Sequence, residues 1–397
     1  MVTSEYGTRL SPARKINAHP DTQEHTRARA DALNGAGILA YRQSDYVAAQ
    51  TLFEATLAIR RELKDTLGVA RSLNNLGLIA REQVQLTLAH TLYAESLATF
   101  RTLGDKAGVA AALYNLGLVA IDQCDYPQAR ALHQESLEIR REFGDRAGIA
   151  MCLNALGIVA REQGDYLYAR SLYEETLPVW RELGDRLGLA SGLNNLAGIA
   201  SALGDYPLAQ SLFEECLTIR QELGNKAGIA MSYNNMGNVA CARKDYARAI
   251  SLYEESITLK RELGDRKGVA ISLHGLGNVA RAQENPVLAH TLYLDSLAIR
   301  SELEDRPGLV DTLEALGVLI VQHGSPMRAV PFLGASERLR EEFGLPIPAQ
   351  NIAEHNDAVA QARGKLGDSA FQAVWLEGKE MSREQILHAA QEGLDIQ

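Results

Sequence analysis

The sequence predicts an all-α solenoid of eight helix pairs, followed by a helical cap at the C-terminus. Three observations predict this fold class: a 40-residue period that recurs eight times without an insertion, apolar residues spaced three or four apart, and turn signals between the apolar runs. A helix pair of this size cannot bury its apolar stripes alone, so each pair must stack on its neighbours.

The repeat is visible as columns of identical residues 40 positions apart. Glycine fills one column, from which only Ala197 departs, and alanine fills a second column completely. The glycine column is Gly37, Gly77, Gly117, Gly157, Gly237, Gly277 and Gly317, and the alanine column is Ala49, Ala89, Ala129, Ala169, Ala209, Ala249, Ala289 and Ala329. Small residues let two helices approach closely, so we expect a bulky residue at these positions to separate the pair.

Each repeat contains two amphipathic helices separated by a short turn. In one repeat, Leu153 and Leu156 lie on the stripe of the first helix, and Tyr173 lies on that of the second. Between them, Gly164 can adopt the left-handed conformation that ends a helix, and Asp165 can cap the next helix. The same pair of signals recurs at Gly104-Asp105, Gly144-Asp145, Gly184-Asp185 and Gly264-Asp265.

The sequence divides into three segments. We expect a disordered leader over residues 1–24, eight repeats over 25–344 and capping helices over 345–397. The repeats are 25–64, 65–104, 105–144, 145–184, 185–224, 225–264, 265–304 and 305–344. The capping helices are expected at about 350–366, 369–380 and 383–392. Ser382 and Gln385 form a capping box at the start of the last one.

The charge and composition exclude several classes of partner. The net charge is -10 and the sequence pI is about 5.5. Nucleic acids and anionic membranes require a basic face, so we expect neither as a partner. The first 30 residues contain no apolar run of the length of a signal peptide or a membrane span, so we expect a cytoplasmic protein.

No residue pattern indicates catalysis or a metal site. The four cysteines, Cys124, Cys152, Cys216 and Cys241, form no CxxC pair, which is unlike a zinc site or a disulfide framework. The histidines form no HExxH motif, and no GxSxG motif occurs. We therefore expect no enzymatic activity, no catalytic residues, no metal and no cofactor.

The recurring pattern resembles the tetratricopeptide repeat. It reads Leu-x-x-Leu-Gly-x-x-Ala from Leu153 to Ala160 and Gly-Asp-Tyr-x-x-Ala-x-x-Leu-Tyr from Gly164 to Tyr173. The 40-residue period is similar to the longer variant of this repeat in bacterial signal-transduction regulators, kinesin light chains and Pins-type spindle adaptors. The resemblance implies a right-handed superhelix in which the first helix of each pair lines a concave groove.

A second resemblance concerns the chain from Arg328 to Leu394. This stretch is similar to the closing segment of the tetratricopeptide region in bacterial ATP-binding regulators of the LuxR and adenylate-cyclase-associated type. The matching residues are Leu333, Gly334, Ala335, Leu339, Arg340, Ala362, Arg363, Leu366, Gly367, Phe371, Trp375 and Gly378. The resemblance implies a sensor and interaction arm. Since the chain has no GxxxxGK[ST] phosphate loop, we expect the interaction role here.

The tetratricopeptide resemblance also implies which residues face the groove. Asparagine recurs in the middle of the first helices, where it is a poor helix former. A ladder of amides can donate to and accept from an extended peptide backbone; alternatively, the asparagines satisfy neighbouring carbonyl groups. The expected groove residues are Asn74, Asn75, Asn115, Asn154, Asn194, Asn195, Asn234, Asn235, Asn238 and Asn278, together with Arg71, Arg81 and Arg161.

These observations favour a non-catalytic scaffold that binds a peptide or protein segment in the groove, in bacterial signalling or regulation. The alternative is a small-molecule effector sensor within a transcriptional regulator. The groove columns contain only two aromatic residues, Tyr41 and Tyr114, which counts against a deep ligand pocket. Self-association is a further expectation, because the first repeat has no evident cap.

Overall fold

A computed structural model describes residues 26–345, 347 and 351–391. Within this part of the chain there are nineteen helices and no strand, which confirms the all-α solenoid class. The expected leader, residues 1–24, lies outside the described residues. The chain divides into two compact units, Met1–Ile199 and Ala200–Gln397.

The N-terminal unit is a series of antiparallel helix pairs. Its helices are α1 (Arg27–Arg42), α2 (Tyr46–Glu62), α3 (Thr66–Glu82), α4 (Leu86–Leu103), α5 (Lys106–Asp122), α6 (Tyr126–Glu142), α7 (Arg146–Glu162) and α8 (Tyr166–Leu183). Helix α9 (Arg186–Ala202) follows them. Through α16, odd-numbered helices are the first helices of their pairs and even-numbered helices are the second.

The C-terminal unit continues the pairs and ends in three further helices. The paired helices are α10 (Tyr206–Glu222), α11 (Lys226–Ala242), α12 (Tyr246–Glu262), α13 (Arg266–Ala282), α14 (Pro286–Glu302), α15 (Arg306–His323) and α16 (Pro326–Phe343). The closing helices are α17 (Ile352–Leu366), α18 (Asp368–Glu380) and α19 (Arg383–Gln391).

The turns end and begin the helices as the glycine-aspartate signals predict. Gly164 has a φ of 78°. The side chain of Asp165 then accepts a hydrogen bond from the backbone N–H of Tyr168 at 3.1 Å. Gly264 repeats the left-handed conformation at 70°, and Asp265 accepts from Gly268 at 2.8 Å. These bonds satisfy amides that would otherwise lack partners in the first turn of each helix.

The glycine column allows the two helices of a pair to approach closely. A Cβ atom at Gly157 would lie 2.5 Å from the ring of Tyr173 on the paired helix. Gly77 and Gly277 face Tyr93 and Tyr293 in the same way. These three tyrosine rings are completely buried, so the column has no room for a larger residue.

The closing helices cover the last helix pair of the C-terminal unit. The backbones of α16 and α18 are in close contact at two glycines. A Cβ at Gly334 would lie 2.4 Å from the carbonyl oxygen of Trp375. A Cβ at Gly378 would lie 2.3 Å from the carbonyl oxygen of Pro331. The indole N–H of Trp375 donates to Glu337 at 2.9 Å. Helix α19 begins with the expected capping box.

Both bonds of that capping box are present. The backbone N–H of Gln385 donates to the Ser382 hydroxyl at 3.2 Å, and the Gln385 side chain accepts from the backbone N–H of Ser382 at 2.7 Å. Two amides at the start of α19 are thereby satisfied.

Replacing Gly378 by alanine should destabilise the protein by about 2 kcal/mol, because the new methyl group meets backbone atoms that cannot rotate away. Gly364, in α17, is a matched control: no atom lies within 4 Å of its Cβ position. Gly364→Ala should leave stability unchanged or raise it by up to about 1 kcal/mol through helix propensity. Urea denaturation of both variants tests this, and equal effects would contradict the close contact.

Candidate functional site

The first helices of the N-terminal unit lie side by side, and their asparagine side chains are hydrogen-bonded to one another. The Nδ2 atom of Asn75 donates to Oδ1 of Asn34 at 2.9 Å. The same bond, between residues 41 positions apart, joins Asn115 to Asn74 at 3.0 Å and Asn195 to Asn154 at 3.1 Å. We call these six residues the amide face.

The pairing of these amides leaves part of their hydrogen-bonding capacity unused. An asparagine amide has two N–H donors and an oxygen that can accept twice. Each hydrogen bond between neighbouring asparagines occupies one donor of one amide and one lone pair of the other. Five of the six are half-buried, whereas Asn115 is 9% exposed. The amide face is therefore held in position by its own bonds while it can still bond to a ligand.

A cavity of about 530 Å³ opens on this face between α1, α3 and α5. Its polar lining includes Asn34, Asn74, Asn75 and Arg71, and its apolar lining includes Ile38, Phe100, Ala107 and Ala111. This volume is within the range of ligand-binding cavities. The cavity combines an apolar wall with amides and a cation, so it can hold a side chain and bond to the backbone beside it.

The three predicted groove arginines lie in different environments. Arg81 forms a two-point ion pair with Asp122, at 2.5 and 3.2 Å. Arg161 is paired with its neighbour Glu162 at 2.5 Å. Arg71 is exposed, and within the described chain it makes no ion pair. Of the three, Arg71 therefore offers its full charge to a ligand in the cavity.

The predicted asparagines of the C-terminal unit are used differently. Asn234 is 7% exposed and accepts from the Ser272 hydroxyl at 2.8 Å. Asn238 is exposed and accepts from the hydroxyl of Tyr253 at 2.6 Å; Asn278 is half-buried and accepts from that of Tyr293 at the same distance. The remaining two, Asn194 in α9 and Asn235 in α11, are half-buried.

Sequence reasoning missed a column of buried cations on the second helices. Arg60 reaches the next first helix, where it donates to the Gly68 carbonyl and the Ser72 hydroxyl, each at 3.1 Å. It also forms an ion pair with Asp31 at 3.0 Å. Both Arg60 and Asp31 line the cavity. The column is Arg60, Arg140, Arg220, Lys260, Arg300 and Arg340, all less than 10% exposed. The signal that could have found it was the recurrence of a cation at positions 40 or 80 residues apart, with Phe100 and Trp180 at the two intervening positions.

The Lys260 member of this column is a buried ammonium group. Its ammonium group donates to the Gly268 carbonyl at 3.2 Å and to the Ser272 hydroxyl at 3.0 Å. Burial lowers the pKa of Lys260 to about 8, against the opposing charge of Asp265. Three members of the column, Arg60, Arg220 and Lys260, thus link consecutive repeats through a backbone carbonyl and a serine hydroxyl.

In the C-terminal unit, α17 covers the first-helix surface of α15. Glu354 of α17 pairs with Arg281 at 2.5 Å, and His355 lies 3.2 Å from Glu314. Val318 is consequently 3% exposed, whereas Asn238, two repeats earlier in the same column, is exposed. The surface available to a partner in this unit therefore ends before α15.

The described residues contain neither a metal site nor a membrane-spanning helix. In the described part of the chain, no three His, Cys, Asp or Glu side chains are grouped so that they could hold a metal ion. Among the described residues, no helix combines the length and the apolarity that a membrane span requires. All four cysteines have free thiols.

Comparison with known proteins identifies the repeat. The family model described as tetratricopeptide repeat matches residues 28–102, 108–182, 157–222 and 228–302. No curated protein sequence matches the chain.

Several solved structures are similar to the chain. The apo form of RapI is 17% identical, covers 70% of this chain and 99% of its own, and has a TM-score of 0.57. BtubC (BKLC) from P. vanneervenii is 22% identical, with coverages of 55% and 92% and a TM-score of 0.48. A Rap protein complexed with Competence and Sporulation Factor is 14% identical, with coverages of 72% and 95% and a TM-score of 0.49. At these identities the likeness to RapI shows a shared fold.

Proposed function

Since this chain belongs to the tetratricopeptide repeat family, whose members are generally non-catalytic interaction scaffolds, we propose that it binds an extended segment of a partner protein on the amide face. The observation that carries the proposal is the cavity between α1, α3 and α5, where paired amides and Arg71 meet an apolar wall.

The amide face suits a peptide backbone for a physical reason. An extended backbone presents N–H and C=O groups on alternating sides, and each must find a partner when water is removed. Asn74 and Asn75 can supply both a donor and an acceptor from fixed positions, because their neighbours already restrain them. Preorganised groups of this kind lose little side-chain entropy when the ligand binds.

The cavity also constrains the side chains of the partner. Ile38, Phe100 and Ala111 favour an apolar residue of the peptide inside the cavity. Arg71 favours an acidic residue beside it, and Asp31, already paired with Arg60, opposes that charge only in part. The proposed partner is thus a protein or peptide segment with an apolar and an acidic residue close together, and not a nucleic acid.

The proposal includes a role in bacterial signalling or regulation and residence in the cytoplasm. Support for the role comes from the resemblance of residues 328–394 to the closing segment of LuxR-type and adenylate-cyclase-associated regulators. In that setting the array acts as the interaction arm, and recruitment of a partner is its contribution.

A triple variant, Arg71→Ala, Asn74→Ala and Asn75→Ala, should weaken partner binding at least about ten-fold, equivalent to about 1.4 kcal/mol. The partner is first captured from lysate by the wild-type chain and identified by mass spectrometry, and its affinity for both chains is then measured by calorimetry. Thermal melting and circular dichroism should show an intact fold.

The matched control changes Thr51 and Arg61 to alanine. Both are exposed on α2, outside the cavity, and the change removes one positive charge as the triple variant does. The control should bind as the wild type does. Equal binding by the triple variant and the wild type would exclude the amide face as the site.

A small-molecule effector remains the second candidate, because the cavity volume of about 530 Å³ also fits a metabolite. A thermal-shift screen separates the two functions. Suppose that a metabolite stabilises the wild type but not the triple variant, and that the wild type retains no protein from lysate. The ligand of the cavity would then be a small-molecule effector and not a peptide.

A further inference from the structure

Lys260 is a buried cation without an acidic partner. Two arginines of the same column pair with an aspartate at an equivalent position of the first helix in their own repeat: Arg60 with Asp31 at 3.0 Å, and Arg340 with Asp311 at 3.4 Å. In the repeat of Lys260 this position is occupied by Met231. Within the described chain, Lys260 makes no ion pair, and its ammonium group bonds only to the Gly268 carbonyl and the Ser272 hydroxyl.

The aspartate that caps the next helix does not pair with Lys260 either. Arg140, at the same position three repeats earlier, pairs with the capping residue Asp145 at 2.6 Å. The lysine side chain is shorter and makes no such pair with Asp265, whose charge nevertheless raises the pKa of Lys260. Burial outweighs this effect and lowers the pKa to about 8, so the group is still mostly protonated at about pH 7. The fold therefore holds a buried positive charge that no acid of the described chain contacts.

A cavity of about 270 Å³ lies beside this ammonium group. Its apolar wall is formed by Val269 and Ile299, and its charged residues are Lys260, Arg261, Asp265 and Arg266. One of the three N–H donors of Lys260 has no partner among the described residues, so it is available to a ligand. The volume exceeds the roughly 150 Å³ that is sufficient for benzene, so a small organic molecule fits.

Arg261 is a second cation at the cavity without an acidic partner. It is exposed, and its guanidinium group makes no ion pair in the part of the chain that the structure describes. Its counterpart Arg101 pairs with Glu135 at 2.7 Å. The residue that corresponds to Glu135 is Asp295, whose side chain is one carbon shorter. Arg261 therefore offers its charge to the cavity that it lines.

The cavity as a whole carries a surplus of positive charge. Its third cation, Arg266, is paired with Glu302. The carboxylates of Asp265 and Glu302 thus oppose three cations, and one positive charge remains. An anion that enters the cavity neutralises this charge.

We propose that the cavity binds a small organic carboxylate, with its anionic group at Lys260 and Arg261 and its apolar part against Val269 and Ile299. The carboxylate accepts from the unused N–H of the ammonium group and from the guanidinium group, and such charge-assisted hydrogen bonds are strong. A buried charge without a partner is costly, and the bound anion removes this cost. An inorganic oxyanion satisfies the cations but leaves the apolar wall uncovered, so the site favours an organic acid.

Calorimetric titration of the full-length chain with sodium butyrate at about pH 7 tests the site. Butyrate is the probe because it combines one carboxylate with a short apolar chain. We expect a dissociation constant of about 1 mM or lower. Acetate buries two fewer CH₂ groups and should bind about ten-fold more weakly. Inorganic phosphate, at the same ionic strength, should also bind at least about ten-fold more weakly than butyrate.

Two substitutions of Lys260 separate the site from a general attraction of anions. Lys260→Met removes the charge at similar length and should raise the dissociation constant of butyrate at least about ten-fold. Lys260→Arg keeps the charge, but we expect the longer side chain to pair with Asp265, as Arg140 pairs with Asp145, and to occupy the cavity. This variant should lose binding to the same extent. Arginine at the equivalent position of other repeats shows that the fold accepts it.

Lys226→Met is the matched control. Lys226 is an exposed lysine of α11 that lies outside the cavity, so this variant should bind butyrate as the wild type does. A wild type that does not bind butyrate, or a Lys260→Met or Lys260→Arg chain that binds it unchanged, would overturn the proposal. Phosphate binding as tight as that of butyrate would overturn the assignment to an organic acid. The result is independent of the amide face, whose residues are unchanged in these variants.

Discussion

Replacing Arg340 by methionine should lower the free energy of unfolding by about 3–5 kcal/mol, because it leaves a buried carboxylate without its counter-ion. Arg340 and Glu314 form an ion pair in which both side chains are only 8% exposed. The Nε atom of Arg340 donates to the same carboxylate at 3.2 Å, and a second carboxylate, on Asp311, lies 3.4 Å from the guanidinium.

The contacts of Glu314 favour the charged form of its carboxylate in the folded protein. Burial raises this pKa, but the contacts with His355 and Arg340 outweigh burial and leave it below its ordinary value. When Arg340 is replaced, burial still raises the pKa of Glu314, but a positive charge that lowers this pKa is gone. Glu314 must then either bind a proton or remain charged in an apolar environment, and both cost free energy.

Two further variants separate this mechanism from a loss of packing. Glu314→Met combined with Arg340→Met removes both charges and should recover most of the lost stability, since an apolar pair of similar volume often replaces a buried ion pair without cost. Arg266→Met breaks a pair with Glu302 whose side chains are 55% and 61% exposed, and should cost less than about 1 kcal/mol. If urea denaturation shows the double variant to be as unstable as Arg340→Met, the unpaired charge is not the cause.

Replacing His133 by phenylalanine should stabilise the protein by about 1 kcal/mol at about pH 7.5 and by about 3 kcal/mol at about pH 5. His133 is completely buried against Gly117, and neither ring nitrogen has a hydrogen-bond partner among the described residues. The corresponding residues Phe53 and Phe213 show that this position accepts a phenyl ring. The variant therefore removes two unsatisfied polar atoms without creating a cavity.

The dependence on pH follows from the direction of the pKa change. Burial lowers the pKa of His133 from 6.5 to about 4. Below about pH 6.5 the unfolded chain binds a proton that the folded chain does not, so stability falls as the pH falls towards 4. The stability lost over this whole window is about 3 kcal/mol. Phenylalanine does not titrate, so the variant is spared this loss.

The measurement is urea denaturation of the wild type and His133→Phe at several pH values. The difference between the two chains isolates His133, because the other histidines are common to both. His90→Phe makes the same substitution at an exposed position and controls for the exchange of a histidine for a phenylalanine itself. If the advantage of His133→Phe stays constant from neutral to acidic pH, His133 does not change its protonation between the two states.

The local structure of this protein could be predicted from its amino-acid sequence alone. The 40-residue columns, the glycine-aspartate turns and the Ser382–Gln385 capping box each depend on residues within one helix or one turn. Helix periodicity and capping act over distances of a few residues, so they can be interpreted without knowing the neighbours. The close approach at Gly157 also followed, because a repeated glycine indicates where a ring must fit.

The contacts between side chains of neighbouring repeats could not be predicted without the packing of the helices. Three contacts depend on the stagger of neighbouring helices. They are the hydrogen bond from Asn75 to Asn34, the ion pair of Arg81 with Asp122, and the contact of His355 with Glu314. That stagger results from the packing of many side chains together, and no single helix encodes it. Asparagine in the middle of a helix thus indicated a polar surface, whereas the unpaired charge of Arg71 became apparent only once the neighbouring helices were in place.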